Sequence, residues 1–142
     1  MVLARVYYEL FSHEAEWLDA HSGADAELGR QLRLEMTDGS RVFIAWAWGA
    51  DGDGYHVEFA PHSFCAGAPE VDRDVSAWPL WSPLVGQPVT LSYVGEGQQV
   101  LAIRAGGAAA YCCSFGRGVW GMDELRVGDR PPQHDREPAR GT

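Results

Sequence analysis

Apolar and polar residues alternate with the period of a strand on both sides of Thr37-Asp38-Gly39. A three-residue loop with glycine in the left-handed third position is a standard hairpin connection. It pairs Glu35 with Arg41, Leu34 with Val42 and Leu32 with Ile44. One face then collects Leu32, Leu34, Met36, Val42, Ile44, Trp46 and Trp48, and the other holds Arg33, Glu35, Arg41 and Phe43. A two-residue Asp-Gly turn would set Arg41 opposite Met36 and mix the faces, so the alternation selects the three-residue loop.

A second β-rich block follows Trp78-Pro79-Leu80-Trp81-Ser82-Pro83-Leu84-Val85-Gly86, whose prolines and glycine predict an ordered connection that is not a strand. Strands are expected over Pro88–Val94, Gln99–Ala105 and Ala108–Phe115, with turns at Gly95-Glu96-Gly97 and Gly106-Gly107. A two-residue turn at Gly106-Gly107 sets Leu101 and Ile103 beside Cys112 and Ala110, and Val100 and Ala102 beside Cys113 and Tyr111. Both faces are apolar, which places these strands inside a sandwich or closed barrel. Tyr55–Ala60 and Val2–Phe11 are further strands, and Leu125–Val127 is expected to close the sheet as an edge. The one helix is His13–Ala20, with Ser12 as N-cap and Glu14 and Glu16 near its positive end.

The pattern thus predicts a mainly β protein, an antiparallel sandwich or partly open barrel of about seven strands with at most one short N-terminal helix. Residues 1–127 form a single domain. Residues 128–142 form a disordered tail, because the stretch from Gly128 to Pro138 offers no apolar residue to bury. No repeat, low-complexity tract or linker between two cores interrupts the domain.

Composition adds location and charge. A length of 142 residues with 46% hydrophobic positions supports one real core. No apolar run is long enough for a membrane span, and the start lacks a signal pattern, so a cytoplasmic protein is expected. Cys65, Cys112 and Cys113 cannot all pair within one chain, which fits a reducing compartment. Lysine and asparagine are absent altogether, a bias expected of a GC-rich bacterial coding sequence. The net charge of −9 is confined to the first 80 residues, because from residue 81 onward six acids balance six arginines. Such a field repels nucleic acid and anionic membrane and speeds encounter with a basic partner.

Searching for chemistry yields fragments only. His13-Glu14-Ala15-Glu16-Trp17 is half of a zinc-protease motif, with tryptophan where the second histidine should stand. Cys112 and Cys113 are adjacent in a strand, point to opposite faces and cannot both close one tetrahedral site with His56, His62 and Cys65. A Cys65 and His62 dyad has no support beyond spacing. Asp51-Gly52-Asp53-Gly54 lacks the rest of a calcium loop and reads as an acidic turn. Trp78, Trp81 and Trp120 anchor loops or line a pocket rim, where His62 or Asp123 would supply the polar group. No catalytic residue, metal or cofactor is therefore assigned, and a non-catalytic binding protein is expected ahead of a small-molecule-binding β-barrel or sandwich, a minor hydrolase among the latter.

The Trp81-Ser82-Pro83-Leu84-Val85-Gly86-Gln87-Pro88-Val89 segment, the closing Val119-Trp120-Gly121-Met122-Asp123-Glu124-Leu125 and the Asp38-Gly39 hairpin followed by Phe43-Ile44-Ala45-Trp46 carry a resemblance. In size, acidity and β-rich layout the chain is similar to immunity-type proteins of contact-dependent or secreted bacterial toxin systems. The resemblance implies inhibition of a basic cognate toxin in the producing cell, with no catalytic residue to carry over. Glu14, Glu16, Asp19, Asp51, Asp53, Asp72 and Asp74 are the expected contacts with that basic protein partner.

Overall fold

The computed structural model describes residues 1–21, 25–48, 55–114 and 124–131, and their strands sort into two sheets. In chain order the elements are β1 (Leu3–Leu10), α1 (Ser12–Ala20), β2 (Ala26–Leu28), β3 (Gln31–Met36), β4 (Arg41–Trp48), β5 (Tyr55–Ala60), β6 (Val71–Asp74), β7 (Thr90–Tyr93), β8 (Val100–Ala105), β9 (Ala108–Cys113) and β10 (Leu125–Gly128). The first sheet has the order β5-β4-β3-β1-β6 and the second β2-β10-β9-β8-β7, with antiparallel ladders throughout. The protein is therefore a mainly β sandwich, with ten strands among the described residues in place of the seven or so expected. No helix among those residues is long and apolar enough to cross a membrane.

Both hairpins take the register that the alternation predicts. Glu35 faces Arg41 and Leu32 faces Ile44. The loop closes with Met36 N–H donating to Ser40 O at 2.9 Å, and Gly39 sits at φ +88°, where a side chain would strain the backbone. Leu101 faces Cys112 and Val100 faces Cys113, with Gly106 at φ +56° in the turn.

The inner faces meet in one cluster. Val6, Tyr8, Leu10, Leu32, Leu34, Ile44 and Val57 come from the first sheet, and Leu28, Leu101, Ile103, Cys112, Leu125 and Val127 from the second. Each large aliphatic side chain buried here stabilises by roughly 1.5–3 kcal/mol. The connection after β6 winds through successive turns (Trp78 N–H to Val75 O, 3.0 Å; Trp81 N–H to Trp78 O, 2.9 Å; Leu84 N–H to Trp81 O, 2.9 Å) and is tied to β1 by Gly86 N–H to Leu3 O at 2.7 Å. It sends Trp81 into the core at 0% exposure, where its indole N–H donates to the Tyr8 hydroxyl at 2.8 Å. Burial pushes the Tyr8 phenol well above its ordinary value. Val100, Ala102 and Cys113 on the opposite face of the second sheet are buried as well, so these strands are covered on both sides.

Four expectations change. Strands β2 and β6 are additional: Ala26-Glu27-Leu28 is too short for its alternation to announce a strand, and Val71-Asp72-Arg73-Asp74 has no apolar alternation. Strand β10 lies between β2 and β9 rather than at an edge, because β2 pairs Leu28 with Leu125 on its free side. The helix begins at Ser12 and its cap position is Phe11, whose N–H donates to Glu14 Oε1 at 3.0 Å, while Ser12 N–H is taken by Glu70 Oε1 at 2.8 Å. Trp48 is not core. It ends β4 beyond the cover of the second sheet, 54% exposed, with its ring edge-on to Tyr55 at 4.6 Å.

Candidate functional site

Strand alternation puts a polar surface on the outer face of the first sheet. Register aligns Arg5, Tyr7 and Glu9 of β1 with Glu35, Arg33 and Gln31 of β3, and sets Asp74 and Asp72 of β6 beside Tyr7 and Glu9. On the other side of β3, Arg41 and Phe43 follow on β4, then Glu58 and His56 on β5. Five carboxylates thus share the face with three arginines.

Arg33 organises it. Its guanidinium donates to Glu9 Oε2 at 2.7 Å, to Asp72 Oδ2 at 2.9 Å and to Glu35 Oε2 at 3.0 Å, so one planar fork binds acids from three strands. The Tyr7 ring stacks against it, 4.2 Å from ring centroid to guanidinium carbon. Burial opposes the charge, and the hydrogen bonds to Asp72, Glu9 and Glu35 more than offset it, so Arg33 is held above its ordinary pKa and stays charged. Glu9 is buried and its second oxygen accepts from Gln31 Nε2 at 2.8 Å. Gln31 in turn bonds Ser63 Oγ (2.8 Å) and the Phe64 N–H (3.0 Å), which fastens the segment between β5 and β6 across this face. At the rim, Arg5 meets Asp74 at 3.2 Å. Although partial burial of Asp74 works against it, hydrogen bonds from the Ser76 hydroxyl and N–H lower its pKa.

The expected contact residues separate under this geometry. Asp72 and Asp74 lie together on β6 with partly exposed side chains. Asp19, exposed on α1, reaches the same strand from its other face through Arg73 at 2.7 Å. Glu16 is exposed on the helix. Glu14 is not a surface contact. It is buried, with Oε1 on the Phe11 N–H and Oε2 on the Gly29 N–H at 2.7 Å, and desolvation raises its pKa against those bonds. It caps a helix and ties β2 to it. Asp51 and Asp53 lie outside the described residues, as do Trp120 and Asp123. Glu9, Glu35 and Arg33 do not emerge from the sequence as a set. Their signal is the every-second-residue runs Arg5-Tyr7-Glu9 and Gln31-Arg33-Glu35, which become a site only once β1 and β3 are known to be neighbours.

Cys112 is fully buried with its thiol pKa driven up by desolvation. Cys65 is half-buried with its own pKa raised by the same cause, and its N–H is bonded to Ser63 Oγ at 3.1 Å, while the His62 ring stands against Phe64 at 5.9 Å. No group of three or more His, Cys, Asp or Glu side chains among the described residues is placed to hold a metal ion. Immediately before β10, Glu124 is buried beside Glu27, and burial followed by the hydrogen bond and charge of Glu27 pushes its pKa up to about 9, so it is a neutral acid at pH 7. No protein family, curated protein or solved structure matches this chain.

Proposed function

We propose that this domain is a non-catalytic binding protein that docks a basic protein partner on the acidic outer face of its first sheet, in the manner of an immunity protein that neutralises a basic toxin. The observation that carries the reading is the Arg33 fork, which fixes Glu9, Glu35 and Asp72 in one ordered array while leaving Glu35 and Asp72 partly exposed. Carboxylates held in place before binding lose little side-chain entropy on binding, and an anionic array steers a basic partner to the face. A bacterial cytoplasmic setting suits such a role.

The test is affinity capture from the native host with the wild-type chain and with Asp74→Asn and Glu58→Arg together, two partly exposed positions on the face. A basic protein retained at low salt, released as salt rises and lost with the double variant supports the reading. Capture indifferent to both salt and substitution, or no partner at all, sinks it.

A further inference from the structure

Strand β6 is an edge of the first sheet, paired on one side with β1. Val75 N–H donates to Val6 O at 2.9 Å, and Arg73 and Val71 stand opposite Tyr8 and Leu10. In an antiparallel ladder bonded pairs alternate with non-bonded ones, so Val71, Arg73 and Val75 turn their backbone groups to β1, and Asp72 and Asp74 turn theirs away. Those outward groups have no backbone partner among the described residues.

The other three edges differ. β5 is closed at its centre, where Val57 N–H donates to Gln98 O (2.9 Å) and Val57 O accepts from the Tyr93 hydroxyl (2.7 Å). β2 is three residues long. β7 carries no charge, and Val89 just before it is already bonded to Met1 O at 2.7 Å. Among the described residues, only β6 combines backbone groups that lack a backbone partner with charge of one sign at the same two residues. A second copy of β6 is a poor occupant, since pairing the edge with itself sets Asp against Asp on one face.

We infer that β6 accepts an extended basic segment of a protein partner as an added antiparallel strand. The main chain of that segment bonds to Asp72 and Asp74, and its basic side chains, at alternate positions, lie against the two carboxylates on the outer face. This rests on the acidic-face reading and adds the mode of docking to it. An added strand places directly opposite Asp72 and Asp74 those residues whose side chains share their face, which is why the spacing of basic residues in the segment must be two.

The test uses the full chain and an eight-residue peptide of alternating arginine and threonine, in three forms: unmodified, N-methylated at the arginines, and N-methylated at the threonines. Charge and composition are matched. In the added strand the arginine N–H groups point at β6 and the threonine N–H groups point away. The unmodified and threonine-methylated peptides should bind alike and slow the exchange of the Asp72 and Asp74 amides, and the arginine-methylated peptide should bind about tenfold or more weakly, as expected for loss of two backbone hydrogen bonds. Equal binding of both methylated forms, without amide protection, overturns the added strand and leaves the acidic face standing. Failure of all three to bind at low salt overturns both.

Discussion

Glu9 in the first sheet and Glu124 just before β10 of the second are buried almost equally, at 4% and 6% exposure, and the protein neutralises them by opposite means. Glu9 has a guanidinium at 2.7 Å and a Gln31 amide at 2.8 Å, so its charge is matched by another charge. Glu124 meets Arg126 only at 4.0 Å and has Glu27 beside it, so it keeps its proton instead. The first solution builds an ionised array that a partner can read. The second removes a charge from the half of the chain that sequence already shows to be near neutral. Acidity at the surface therefore depends on which carboxylates an arginine can reach as well as on how many there are.

Removing Arg33 should break this contrast with the largest effect. Arg33→Ala leaves Glu9 buried without its cation and frees Glu35 and Asp72 to repel each other, and the loss of one partner of a buried pair costs roughly 3–5 kcal/mol. A urea midpoint far below wild type is the expected result. Arg33→Met should recover part of the loss by packing on Tyr7 but not the array. A variant as stable as wild type would show that Glu9 does not need its cation.

Glu124 predicts a pH dependence with a definite sign. Its folded pKa, about 9, lies above the ordinary 4.5, so the folded state holds a proton that the unfolded chain releases. The stabilisation is complete below the ordinary value and is lost as pH rises through about 9. Glu14, also raised, acts in the same direction, while Asp74, lowered, contributes stability that is lost as pH falls below its ordinary range. Thermal unfolding midpoints should accordingly fall from about pH 5.5 to about pH 9. Glu124→Gln keeps the neutral shape and should flatten most of that slope. A wild-type midpoint that rises over the same interval would contradict the assignment.

Much of this architecture is legible in the sequence where the deciding residues are close in the chain. Gly39 with the alternation around it sets the β3–β4 register, and Gly106-Gly107 does the same for β8–β9. Strand β6 is not legible, since Val71-Asp72-Arg73-Asp74 has charges where a buried strand has apolar residues, and it becomes a strand by pairing with β1 more than 60 residues earlier. Glu14 is recognisable from its position as an acid near the helix start, but not as a buried one, because what buries it is the Gly29 N–H on a different connection. The Arg33 array needs the pairing of Tyr7 with Arg33 and of Glu9 with Asp72, two long-range registers at once.

The smallest expected effect on stability is the most informative about function. Asp74→Asn removes one charge from the rim of the array. Its ion pair with Arg5 is 40% and 60% exposed on the two sides, and pairs of that kind contribute well under about 1 kcal/mol. Asparagine Oδ1 can still accept from the Ser76 N–H and hydroxyl, so the turn after β6 should hold and the urea midpoint should move by no more than about 0.5 kcal/mol equivalent. If Asp74 faces a basic partner, the same substitution should weaken that partner's binding and flatten its salt dependence while the fold is unchanged. Because Asp72 is tied to Arg33 and Asp74 to the rim, Asp72→Asn should disturb both stability and binding, and the difference between the two variants separates the carboxylate that supports the array from the one that only presents it. Equal loss of stability in both would mean that the rim is as structural as the centre.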